Sequence, residues 1–127
     1  MRKIEQAKIL KRRALSFHKN AKRNIKEKEI DLAAFNTEQA AQLLLKYFLF
    51  TKAGDYPKTH SLKSLFREAI KILPKLKKLF EKNINLIGDM ESAYIGARYL
   101  PFEYLEEEVR EMIKFVEKLK GEIDEAL

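Results

Sequence analysis

Three features of the sequence predict an all-α fold, an antiparallel helical bundle of about five helices. One long stretch is apolar on nearly every side, others carry apolar residues at intervals of three and four, and no segment alternates with period two. The first feature spans residues 31–52, where Leu32, Ala33, Ala34, Phe35, Ala40, Ala41, Leu43, Leu44, Leu45, Tyr47, Phe48, Leu49 and Phe50 leave a narrow polar line. A helix apolar nearly all round belongs in the middle of a bundle. Its polar exceptions Asn36, Gln39, Gln42 and Lys46 are three or four residues apart, so they share one face and must meet something polar.

The first helix is expected from Arg2 to Lys28, with Ala7, Leu10, Ala14, Phe17, Ala21 and Ile25 as its core stripe. Asp31 is the expected N-cap of the second helix, which ends near Lys52 before Ala53-Gly54 and the turn residues Asp55, Tyr56 and Pro57. Thr59 or Ser61 caps a third helix carrying Leu62, Leu65, Phe66, Ala69, Ile72 and Leu73, stopped or kinked at Pro74. A fourth runs from Lys75 to Ile87; Gly88 is expected to stop it and Asp89 to restart a short helix through Arg98. Pro101 holds Leu100 out of helical geometry. The last helix carries Leu105, Val109, Met112, Val116, Leu119 and Ile123 in a narrow coiled-coil-like seam, a candidate surface for self-association or partner docking.

The 127 residues fit one domain, spanning 1–127, that is able to bury a core without staples. Without cysteine, disulfides and thiolate metal sites are ruled out and a reducing cytoplasm is the expected location. Residues 1–13 lack the unbroken apolar run of a signal peptide, and the run from Leu43 to Phe50 is interrupted by Lys46 and too short to span a bilayer, so no membrane role is expected. The net charge of +7 is unevenly placed. Residues 1–28 hold eleven Lys or Arg against Glu5 and Glu27, a net +9, and the remainder is net −2. Lys8, Arg12, Lys19, Arg23 and Lys26 fall along a face of the first helix, a surface for phosphate backbones read without sequence preference. The alternative is that the basic helix complements the acidic last one, where residues 103–127 carry nine acidic and four basic groups.

Three motifs stand in order: Asp31-Leu32-Ala33-Ala34-Phe35 with Gln39-Ala40-Ala41, Thr59-His60-Ser61-Leu62, and Tyr94-Ile95-Gly96-Ala97-Arg98-Tyr99. Together they resemble the HEPN family, nucleotide-binding helical proteins of higher eukaryotes and prokaryotes. The resemblance spans nearly the whole chain. It implies a dimer, a minimal nucleotidyltransferase as partner in a toxin–antitoxin-like two-component system, and in some branches ribonuclease activity. In the nuclease branches an arginine is followed after four to six residues by a histidine. Here Arg98 is followed by Tyr99, Leu100, Pro101 and Phe102, with Glu103 at the expected distance and no histidine beyond position 60. A carboxylate is a poorer base than a histidine near neutral pH, which argues against catalysis.

Arg98 beside Tyr94 and Tyr99 suits a nucleotide, with bidentate binding of phosphate and aromatic surface for a base, or else complements the dipole at the last turn of a short helix with the tyrosines packed under Pro101. Asn36 and Gln39 are candidates to line the same pocket, or else to serve a dimer interface. The catalytic candidates are Arg98, Glu103 and His60, although His60 between two capping hydroxyls also fits a helix-entry role. Arg13 and His18 repeat the nuclease spacing on the first helix, where five residues are about 140° of rotation and separate the two side chains. Glu103, Glu106, Glu107, Glu108 and Glu111 complement the dipole of the last helix; without a Glu-x-x-His pair they make no di-metal motif. The four glycines are isolated, so no phosphate-binding loop exists, and neither metal nor cofactor is expected. Three functions follow: a nucleotide- or RNA-binding subunit, a metal-independent ribonuclease, and a sequence-indifferent nucleic-acid binder using the first helix.

Overall fold

The structure, a computed structural model, describes every residue except Phe102. Its described residues form six helices and no strand: α1 (Lys3–Lys26), α2 (Ile30–Ala53), α3 (Leu62–Ile72), α4 (Leu76–Lys82), α5 (Ile84–Tyr99) and α6 (Glu106–Ala126). The helical bundle is as expected, with six helices rather than about five.

The apolar helix α2 is the axis of the fold and packs against α1, α3, α5 and α6. Ala33, Ala34, Ala40, Ala41, Leu44, Leu45, Phe48 and Leu49 are all buried along it. On α1 the buried residues Ala7, Ala14, Ala21 and Ile25 come from the expected stripe. Alanines on both partners let the two backbones approach closely. Lys3 Nζ donates to the Gly54 carbonyl (3.2 Å) and Asn36 Nδ2 to Asn24 Oδ1 (2.7 Å), so the start of α1 meets the end of α2 and the pair is antiparallel. α6 also runs antiparallel to α1, stapled by Lys11–Asp124 (3.5 Å), Lys22–Glu117 (3.5 Å) and Lys28–Glu106 (3.0 Å).

Helix ends differ from expectation where side chains have better partners. α1 stops at Lys26 because Lys28 takes a left-handed conformation (φ 62°), with Glu29 N–H donating to Asn24 O and Lys28 N–H to Ile25 O. That pair of bonds is a Schellman closure. Asp31 does not cap α2, which begins at Ile30; its carboxylate instead accepts from the Tyr104 backbone N–H (3.0 Å) and ties the α5–α6 connection to α2. Gly54 (φ 81°) ends α2 as a left-handed cap, and Ser61 Oγ caps α3 by accepting from Ser64 N–H (3.2 Å). The break expected at Gly88 falls at Asn83, whose amide donates to the Leu79 carbonyl (2.9 Å) and competes with helix continuation, while Gly88 is interior to α5.

The seam of α6 lies inside the molecule. Val109, Met112, Val116, Leu119 and Ile123 are buried in the core, so they are not a self-association surface, and Leu105 is an exposed N-cap outside that seam. Phe66 joins the layers, with ring centroids 5.3 Å from Phe80 and 5.9 Å from Phe115.

Candidate nucleotide-binding site

The last turns of α5 place Tyr94 and Arg98 four residues apart on one face, and Arg98 Nε donates to the Tyr94 carbonyl (2.8 Å). The guanidinium carbon lies 4.7 Å from the centroid of Tyr94, 4.8 Å from that of Phe35 and 4.9 Å from that of Tyr99. Three aromatic rings therefore seat one cation at cation–π distance. Phe35, half-buried on the first turns of α2, is the anchor of this seat. His60, just before α3, stacks on Tyr94 with centroids 4.5 Å apart and an interplanar angle of 22°. Its Nε2 is 3.3 Å from Tyr94 Oη.

Tyr94 thus joins Arg98 and His60, two residues distant in sequence, in one exposed cluster. Arg98 has no carboxylate at ion-pair distance among the described residues, and Arg98, His60 and Tyr99 are all exposed. A charged, planar donor held by its face, with its terminal amino groups directed at no described acceptor, is suited to a phosphate. The neighbouring rings offer a surface on which a base stacks.

The other sequence candidates go elsewhere. Asn36 Nδ2 donates to Asn24 Oδ1 on α1, and Gln39 donates to Glu38 Oε1 (2.8 Å), so each amide has a partner within the chain. Gln42 also donates to Glu38, through Oε2 (2.5 Å). Glu38 is the polar group that Gln39 and Gln42 of the stripe serve. It is fully buried, and that burial pushes its pKa up to about 7 against the opposing hydrogen bonds of Gln42 and Gln39. Sequence reasoning passed over it, although a carboxylate within an apolar helix, with amides one and four residues later, was the signal.

Glu103 is exposed and lines a cleft with Lys28, Glu29, Ile30, Asp31, Leu32 and Tyr104. Arg13 and His18 diverge: Arg13 faces a groove shared with the α2–α3 connection, whereas His18 Nε2 lies 3.3 Å from Glu117 of α6. The basic first helix divides its cations between paired and unpaired positions. Lys11, Lys22 and Lys28 pair with α6 or its first turn, while Lys8, Arg12, Lys19 and Lys26 are exposed and in no ion pair among the described residues. Arg23 donates to Asn20 Oδ1 (2.6 Å). The acidic start of α6 is likewise engaged, Glu106 with Arg110 and Lys28 and Glu111 with Lys114. Hydrogen bonds from Arg110 and Lys28 hold the Glu106 carboxyl below its usual range.

The HEPN domain model matches residues 7–125. The chain belongs to the HEPN family, as the three ordered motifs indicated. A search of curated proteins found no match. Membership supports a role with nucleotides or RNA in general terms. Among the described residues, no helix is long and apolar enough to cross a membrane.

Proposed function

We propose that this protein is a nucleotide- or RNA-binding HEPN subunit that dimerises and acts with a minimal nucleotidyltransferase in a toxin–antitoxin-like system. The observation that carries the binding reading is the Arg98 guanidinium seated on Phe35, Tyr94 and Tyr99 without a carboxylate partner among the described residues. Ile95, Tyr99 and Leu100 near the end of α5, with Leu32 and Leu105, are exposed large apolar or aromatic residues around the same end of the bundle. They favour burial against a second copy or a partner there rather than through α6. The proposed location is the cytoplasm, in keeping with a chain that uses no cysteine.

A second reading is a metal-independent ribonuclease. It is favoured by one observation: His60 stacks on the ring that also seats Arg98, so a base and a phosphate-binding cation share one cluster without the linear arginine–histidine motif. Incubation of a mixed-sequence RNA with the purified protein in chelator separates the two. Intact RNA, bound more weakly by Arg98→Ala, supports the binding subunit; cleavage lost in both Arg98→Ala and His60→Ala establishes the nuclease. A third reading uses the exposed Lys8, Arg12, Lys19, Arg23 and Lys26 surface alone, and predicts binding that Arg98→Ala leaves unchanged.

A further inference from the structure

We propose that the groove between α1 and the α2–α3 connection binds a nucleoside phosphate, its phosphate held among Arg13, Lys46 and Lys58 and its base against Phe50 and Tyr56. The proposal rests on the nucleic-acid reading above and adds a second subsite to the Arg98 cluster. The groove has a volume of about 630 Å³, within the range of small-molecule sites. Its lining joins three cations to the rings of Phe50, Tyr56 and His60, with Asp55 as the one carboxylate.

None of the three cations has an ion-pair partner among the described residues. Arg13 and Lys58 are exposed, but Lys46 is half-buried, its ammonium 5.6 Å from the Tyr56 centroid. Burial holds Lys46 below the usual lysine range, with the buried Glu38 carboxyl opposing that shift from the same helix. A partly desolvated cation beside a ring, with no carboxylate at ion-pair distance among the described residues, is further stabilised by an incoming anion. Asp55, whose Oδ1 accepts the Tyr56 backbone N–H (2.8 Å), offsets one of the three positive charges and leaves the lining net positive. Phe50 and Tyr56 meet edge to face at 6.2 Å and 61°, leaving ring surface on the groove for a planar base.

His60 makes the groove and the Arg98 cluster neighbours, since it lines the first and stacks on Tyr94 in the second. A single strand crossing His60 reaches both. The ligand is therefore a nucleoside phosphate, either free or as one unit of a single strand.

The test is a titration, followed by amide chemical shifts, with adenosine 5′-monophosphate and separately with a short single-stranded oligoadenylate. The proteins compared are the wild type, the double variant Arg13→Gln/Lys58→Gln and Arg98→Ala; both groove positions are exposed, and thermal melts confirm the fold. The double variant is expected to weaken oligonucleotide binding about tenfold through the loss of two charge-assisted contacts. A free mononucleotide as natural ligand also predicts about tenfold weaker monophosphate binding in the double variant, with less than about a twofold effect of Arg98→Ala. If only the oligonucleotide binds, the strand is the source. Unchanged affinity of the double variant for both ligands, or no binding of either by the wild type, overturns the groove. In the former case the Arg98 reading survives if Arg98→Ala still weakens the oligonucleotide, and falls with the groove if it does not.

Discussion

Glu38 is fully buried on the central helix, with both carboxylate oxygens held by its own helix's amides and its pKa pushed up to about 7 by burial. In the unfolded chain the same group titrates near 4.5. Below that value it is protonated in both states and carries no penalty. Between about 4.5 and 7 the unfolded chain ionises first, so stability declines with rising pH, and it levels off above 7. The shift corresponds to about 3 kcal/mol. Denaturant melts at pH 5 and pH 8 should therefore show this decline in the wild type and a flatter profile in Glu38→Gln; parallel profiles would refute it. Asn36, Gln39 and Gln42 were legible as a polar stripe, but their partners were not. Sequence spacing gives the face of a helix, whereas only the packing of α1 and the burial of Glu38 decide which groups those amides must satisfy.

At the scale of elements, α1 divides its charge between two tasks. Lys11 and Lys22 hold α6, and Lys8, Arg12 and Lys19 face outward. If the outward face contacts a single-stranded nucleic acid, Lys8→Gln/Arg12→Gln/Lys19→Gln should make the log-affinity slope against log salt shallower by about 2, at about 0.7 per lost phosphate contact. Filter binding over a salt series measures it, and an unchanged slope would exclude this face. The long helices and their core stripes were legible because Ala7, Ala14, Ala21 and Ile25, or Val109, Met112, Val116, Leu119 and Ile123, repeat with helical period over many turns. Boundaries were less so. Gly88 carries the stronger helix-stop signal, yet the chain turns at Asn83, where a side-chain bond to Leu79 O replaces the helical bond, and Asp31 looks like a cap but serves Tyr104.

For the whole molecule, the end of the bundle holding the Arg98 cluster also exposes Ile95 and Leu100. A dimer formed there would place two such clusters near one another around a two-fold axis. Sedimentation should then show a dimer that Ile95→Glu converts to a monomer with its helical signal intact; a monomer in the wild type at all accessible concentrations would remove this surface from consideration. The family and the bundle were readable from ordered motifs, and Arg98, Tyr94 and Tyr99 were readable as a cation among rings. The seat itself was not, because Phe35 reads as one more apolar residue of α2, and His60 reaches Tyr94 only through the path of the α2–α3 connection.

The role proposed for Arg98 on its aromatic seat is to bind a nucleotide. Fluorescence anisotropy of a labelled single-stranded RNA with the wild type, Arg98→Lys and Arg98→Ala tests it most directly. Binding should weaken by about tenfold or more in Arg98→Ala, with only partial recovery in Arg98→Lys, because lysine keeps the charge and loses the planar fork. Equal affinity of all three proteins would rule that role out.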